Sequence, residues 1–277
     1  MPTSGRASSL VRPSEMTGRN DRADLQSGAK EAPPDAFGRT AREYELGRPE
    51  WPVEFLDRVI AEMGLGRDAT VLDLGAGTGK LTRALVPRFD RVVAVEPDDA
   101  MRAVLEEVVP GAESQPGSAE AIPLGDGEVD AIFTGEAFHW FATSRTLAEL
   151  ARVLRPRGRL AIFWNIFQDE EPPLSQEARE LLDEAFDRGG VPGLARVLSG
   201  RWREAFAGSV FEELREDEYE HELVVDRETF VARMLSVSSI AVQPEEDRTA
   251  FAERLRELLP AETHQRFRVV AYWTRLA

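Results

Sequence analysis

Residues 71–80, VLDLGAGTGK, place an aspartate and three alternate glycines at the end of an apolar run. A single glycine there would suit a tight turn, because glycine adopts positive φ at little steric cost. Gly75, Gly77 and Gly79 together, ahead of the amphipathic LTRALVPRF, point instead to a ligand lying against bare backbone. Spacing narrows the ligand. A phosphate-binding loop, G-x-x-x-x-G-K-[ST], needs glycine at 74 and a hydroxyl at 81, and both positions are leucine. The dinucleotide fingerprint G-x-G-x-x-G, counted from Gly75, needs glycine where Lys80 stands. The pattern left is D-x-G-x-G-x-G, with Asp73 in front.

Three more segments carry chemistry-bearing residues. Glu96 closes the apolar run RVVAVEP, 21 residues beyond Gly75, where a carboxylate can accept from both hydroxyls of a ribose. GSAEAIPL (117–124) and GEAFHWF (135–141) each follow a further apolar run. His139 in the latter is either a general base suited to neutral pH or a packed ring bonded to backbone.

The elements that must position these residues alternate. WPVEFLDRVIAEMGL (51–65) has helical spacing, and ATVLDLG (69–75) reads as a strand buried on both faces. After the glycine-loop helix come strand 91–97, helix 98–109, a weaker strand 112–118, strand 129–135, helix 144–155 and strand 158–165. Strict alternation predicts an α/β fold with a parallel sheet, helices on both faces and ligands at the C-terminal strand ends. Residues 166–210 break the rhythm and read as a helical lid insertion. The sheet resumes near 211–225; two helices follow, over 227–237 and 244–259, and a closing antiparallel strand lies in RFRVVAYWTRL. Residues 1–36, rich in Ser, Gly, Pro and Arg, read as a disordered tail ahead of one domain over 37–277.

Composition excludes several function classes. The chain has 277 residues, 42% hydrophobic and 30% charged, enough for a substantial core. Its net charge of −16 disfavours phosphate backbones and anionic membranes as partners. With no cysteine there is no thiolate metal site or cysteine nucleophile; three scattered histidines make a metal centre unexpected. No apolar run reaches the ~18–20 residues of a membrane span, and no apolar leader opens the chain, so a cytoplasmic location is the expectation.

The D-x-G-x-G-x-G stretch resembles the first motif of the class I S-adenosylmethionine (SAM) methyltransferases. SAM has no pyrophosphate but carries a cationic amino-acid end and a sulfonium, which suit the carboxylate of Asp73. GSAEAIPL is similar to the family's G-D-A-E-x-L-P adenine segment, with Ser118 where aspartate is usual. AFHWF, together with Y-x-x-x-R-P-x-W-P at 44–52, resembles the type-11 superfamily, including trans-aconitate-like small-molecule enzymes; Trp51 replaces the usual tyrosine. The [DNS]-P-P-[YF] motif of enzymes that methylate nucleic-acid amines is missing, which together with the charge argues against a nucleic-acid acceptor.

The resemblance implies a Rossmann-like, doubly wound, mostly parallel seven-stranded sheet. It implies cofactor contacts from Asp73, Gly75, Ala76, Gly77, Glu96, Pro97, Ser118, Ala119 and Glu136. Met101 either packs on the adenine or belongs to helix core. Tyr44 and Arg48 would fold over the cofactor, with Tyr44 and His139 as candidate catalytic groups. Trp140 would line the acceptor pocket, and Arg48 would either pair an acceptor carboxylate or brace the entry segment. The expected function is methyl transfer from SAM, leaving S-adenosylhomocysteine (SAH), to a small-molecule acceptor by O-methylation or carboxylate esterification, without a metal. A non-catalytic SAM-binding module and an NAD(P)-dependent oxidoreductase are the alternatives.

Overall fold

The computed structural model describes residues 38–188 and 193–277; the tail expected over 1–36 lies outside them. Seven strands form one sheet: β1 (Thr70–Leu74), β2 (Arg91–Val95), β3 (Glu113–Gln115), β4 (Val129–Gly135), β5 (Leu154–Glu171), β6 (Arg215–Asp226) and β7 (Glu262–Arg275). Their order is β3-β2-β1-β4-β5-β7-β6. Neighbours from β3 to β5 run parallel, and β7 is antiparallel to both β5 and β6. The order reverses between β1 and β4, so the carboxyl end of β1 opens into a crevice there.

Strand periodicity divides the core between the two faces. Leu72, Leu74, Val93, Ile132, Ile162 and Trp164 face α5 (Ser144–Val153) on one side. Val71, Val92, Ala131, Phe133 and Phe163 face α2 (Val53–Met63) and α3 (Lys80–Leu85) on the other. Local chemistry fixes the helix ends. Gly64 closes α2 at φ 67°, and Asp98 caps α4 (Asp99–Val108) by accepting from the Ala100 and Met101 N–H groups.

The lid differs from the sequence expectation. Residues 166–171, expected to open the helical insertion, continue β5, whose upper half pairs with β7 through Glu171↔His264. The segment IFQDEE looks unlike a strand because its exposed Gln168, Asp169 and Glu171 break the apolar pattern of the preceding part of β5. The three strands β5, β7 and β6 thus rise past the parallel half as a wall. Helices α6 (Gln176–Arg188) and α7 (Gly193–Leu198) follow β5. The lid core then joins α6 to α8 (Arg227–Leu235), α9 (Ser238–Ala241) and α10 (Glu245–Leu258), through Ala178, Leu182, Phe230, Ile240 and Leu255. It is therefore built from two segments on either side of β6.

The N-terminal helix α1 (Ala41–Gly47) bridges this lid and the glycine loop. Glu45 accepts from Thr78 Oγ1 at 2.7 Å and pairs with Arg83 at 2.9 Å and Lys80 at 3.6 Å. At its other end Gly47 sits so close to α8 that an added Cβ would lie 2.1 Å from the Arg233 backbone nitrogen. Backbone cannot yield as a flexible side chain would. We expect Gly47→Ala to cost about 1–3 kcal/mol, as overpacking does. Limited proteolysis should show cleavage around residues 40–50 before the sheet unfolds; an unchanged melting temperature and cleavage pattern would refute this packing.

Candidate active site

Asp73, one residue before the end of β1, has a wholly buried carboxylate. One oxygen, Oδ2, accepts from Thr82 Oγ1 at 2.6 Å, while Oδ1 has no partner among the described residues and Asp73 lines a cavity. Burial, opposed by the Thr82 bond and reinforced by Glu96, pushes its pKa up to about 7. A buried acceptor left unpaired costs about 1–3 kcal/mol. A cationic ligand group placed there recovers that cost.

The three glycines have separate jobs. A Cβ on Gly75 would meet that of Ala137 at 2.8 Å, and one on Gly79 would meet Val109 at 2.9 Å; both are packing positions. Gly77, at φ 57°, has nothing within 4 Å of its would-be Cβ. The open approach to the backbone is therefore at Gly77, more than at Gly75. Its N–H donates to Glu96 Oε2 at 2.8 Å, and Glu96 Oε1 accepts from Asp98 N at 2.9 Å.

The cavity measures about 460 Å3 and opens on the β4–β5 side of the loop. It brings together Tyr44, Arg48, Asp73, Gly75, Ala76, Gly77, Glu136, His139 and Trp140 from the sequence-read set. Glu96, Pro97, Met101, Ser118 and Ala119 lie outside its wall, at the β2–β3 side. Met101 packs with Ala41 and Val104.

Beyond β4 the chain turns sharply at Glu136, which holds a positive φ of 57°. Glu136 Oε1 accepts the Asn165 N–H at 2.6 Å; burial raises its pKa, opposed by the nearby Arg48. His139 Nδ1 accepts from the Trp164 indole N–H at 3.1 Å. Burial first, then Arg196 and Arg48, hold its pKa down to about 3. The ring is therefore neutral with its proton on Nε2. Tyr44 stays protonated too, its phenol pushed up to about 12 by burial. Arg48 stacks 5.0 Å from the Tyr44 ring centroid and donates to Ser236 Oγ at 3.0 Å, bracing the entry segment. Arg196 lies over Trp140 at 5.1 Å.

Residues 72–162 match the methyltransferase domain family model. A Schizosaccharomyces pombe protein described as an uncharacterized methyltransferase is 34% identical over 228 residues, spanning 80% of this chain and 88% of that one. The chain belongs to the class I SAM-dependent methyltransferases. A Mycobacterium tuberculosis methyltransferase, also uncharacterized, shares 36% identity over 224 residues, covering 81% of this methyltransferase and 85% of its own length. Over a shorter 99 residues, 34% of this chain and 36% of the relative, it is 43% identical to malonyl-[acyl-carrier protein] O-methyltransferase of Methylococcus capsulatus. The fold matches a solved Anaeromyxobacter dehalogenans structure described as a type II methyltransferase, with TM-score 0.60, 24% identity, and 83% and 98% of the two chains covered. Among the described residues no group of three acidic or histidine side chains could hold a metal, and no helix is long and apolar enough to cross a membrane.

Sequence reasoning missed Arg233, Asn165, Glu170 and the aromatic wall of Phe167, Phe230 and Phe267, all lining the cavity. For Arg233 a signal existed: it falls three residues after Phe230, on the apolar face of its helix, where a lone charge is out of place.

Two predictions follow from these ionisations. A cationic ligand beside Asp73 favours its ionised form, so SAM affinity falls by up to about tenfold per pH unit below about 7, with proton release on binding. The same raised pKa works oppositely on the ligand-free domain. Its folded state keeps a proton that the unfolded chain surrenders, so the Asp73 contribution to stability grows as pH falls from about 7 towards 4. Asp73→Asn should abolish both slopes and weaken binding roughly 10–100-fold; calorimetry across pH would expose a failure. For His139→Gln, kcat at saturating cofactor should stay within about tenfold of wild type, where losing a general base costs about 100–10,000-fold. A loss of that larger size would restore His139 as the base.

Proposed function

We propose that this methyltransferase transfers the SAM methyl group to an oxygen of a small-molecule acceptor, with carboxylate esterification favoured. One observation carries the reading: a single cavity joins the unpaired Asp73 oxygen and the open Gly77 backbone to an apolar chamber beneath the lid. Its volume of about 460 Å3 suits small ligands and not a duplex or a folded partner. The partial match to an O-methyltransferase supports oxygen as the acceptor atom.

SAM, when bound, supplies an electrophilic methyl on a sulfonium with a good leaving group. The chain's residues then have to hold, orient and exclude water. Asp73 and the Gly77 backbone would hold the amino-acid end. Glu96, tied to the loop, would hold the ribose with Pro97 beside it, and Ser118 with Ala119 the adenine. Glu136 would sit between cofactor and acceptor, and Tyr44 would cover the cofactor. Trp140 packs the acceptor, and the His139 Nε2–H donates to its oxygen. With His139 and Tyr44 both committed as donors, an acceptor that arrives ionised needs no base. A phenol would instead need Glu136, whose raised pKa fits proton abstraction.

Calorimetric titration with SAH, using NADH as the control ligand, tests the cofactor; micromolar binding of SAH alone is expected. Gly77→Val fills the open space and should abolish that binding while the domain stays folded. Retained SAH affinity in that variant, or NADH binding to the wild type, would sink the reading. A turnover screen of carboxylates, phenols and amines with SAM then decides the acceptor class.

A further inference from the structure

The cavity's lid end holds a buried cation with no salt-bridge partner among the described residues. Arg233 is 7% exposed. Its Nη1 donates to Gln265 Oε1, and its guanidinium faces the rings of Phe230, Phe167 and Phe267 at 5.0, 5.1 and 5.3 Å. Among the described residues it forms no ion pair, although arginines across the surface are paired with carboxylates. Among the described residues the Arg48 guanidinium, the second on this wall, donates only to the neutral hydroxyl and carbonyl of Ser236. The two cations repel one another, and burial together with Arg48 holds the Arg233 pKa down to about 9. Glu170 is the acid whose charge opposes this, yet it accepts the Leu174 N–H and forms no salt bridge with Arg233, and burial raises its own pKa. A desolvated guanidinium in an apolar chamber is costly unless an anion meets it.

Position along the sheet says where that anion lies. Phe163 pairs with Gly135 at the mouth of the glycine loop, and Phe167 lies four residues further along β5. At ~3.3 Å per residue that is roughly 13 Å. Arg233, whose guanidinium lies against Phe167, Phe230 and Phe267, therefore sits at the end of the cavity away from the glycine loop, ringed by the aromatic wall.

We propose that the acceptor is an amphipathic acid, with a carboxylate docked on Arg233, an apolar body along the Phe167–Phe267 wall, and a separate oxygen that takes the methyl. Arg233 is then the specificity-determining residue, selecting anionic acceptors over neutral ones of the same shape. This rests on the O-methyl transfer reading above, yet concerns the opposite end of the cavity. Because the docked carboxylate is not the methylated oxygen, its charge survives the reaction and the product keeps this anchor.

The test compares 4-phenylbutyrate with its uncharged amide, 4-phenylbutyramide, by calorimetry at about pH 8 with and without saturating SAH. The acid should bind wild-type protein at least about tenfold more tightly than the amide, the scale of a charge-assisted bond. In Arg233→Met the gap should close to within about twofold, with SAH affinity unchanged. Arg233→Lys keeps the charge but not the planar fork, so the acid should lose about threefold or more while the amide is unaffected. Arg233→Met should also melt no lower than wild type, because it removes an uncompensated buried charge. Equal behaviour of acid and amide in the wild type, or a gap that survives in both variants, overturns the proposal. Loss of SAH binding by the wild type overturns the cofactor reading instead, while the acid–amide comparison without SAH still reads Arg233.

Discussion

A carboxylate sealed at the end of β1 with one oxygen unpaired is the constraint around which this structure is organised. Asp73 is there because the alternation of β1 places Leu72 and Leu74 on one face of the sheet and Val71 on the other. The strand needs burial on both faces, and its last polar residue is drawn in with it. Thr82 on α3 satisfies one oxygen. The second has no partner among the described residues, and Asp73 lines the cavity together with the open backbone at Gly77. Any donor small enough to pass the loop would satisfy that oxygen, and a cationic one would in addition favour the ionised carboxylate. Gly77 fits the same reading, since a side chain there would fill the open approach to the backbone, whereas Gly75 and Gly79 answer to packing.

Charged groups in and beside the cavity are weighted towards acids at the loop and arginines at the lid, with Lys80 and Glu170 the exceptions. Asp73, Glu96 and Glu136 cluster at the loop, all with pKa values raised by burial. Arg48 and Arg233 stand on the lid side with neutral partners. Neither set neutralises the other by direct pairing. A cationic ligand at one end and an anionic one at the other would complete both, and each would be less stable alone. The α1 helix, clamped to the loop through Glu45 and packed on α8 through Gly47, ties the two ends together mechanically.

The legible part of this site was its local part. D-x-G-x-G-x-G, Glu96 at the next strand end and the segments at 117–124 and 135–141 each lie within one strand and the loop it feeds, and sheet topology converges such strand ends automatically. The acceptor end is non-local. Its wall needs β5 to run on to Glu171, and no periodicity in IFQDEE announces a strand. Its lid joins α6 to helices that lie beyond an intervening strand, a pairing that helical spacing cannot convey. His139 was singled out by its type, but its role depends on Trp164, 25 residues away, which fixes the tautomer.

That tautomer shapes the chemistry more than the presence of a histidine does. An imidazole whose Nδ1 accepts from an indole has only a proton to offer at Nε2, and deep burial beside two arginines keeps it from charging. It can strengthen the hold on an oxygen lone pair but cannot remove a proton from it. Donation to the nucleophile lowers its reactivity, so the arrangement helps only where geometry, not basicity, limits the rate. An acceptor already ionised in water meets that condition, because desolvation beneath the lid restores the nucleophilicity that the hydrogen bond removes. A weakly acidic acceptor does not, and would depend on Glu136, held at positive φ at the turn from β4. The ionisation state of the acceptor therefore decides whether the strain at Glu136 serves catalysis or only the turn.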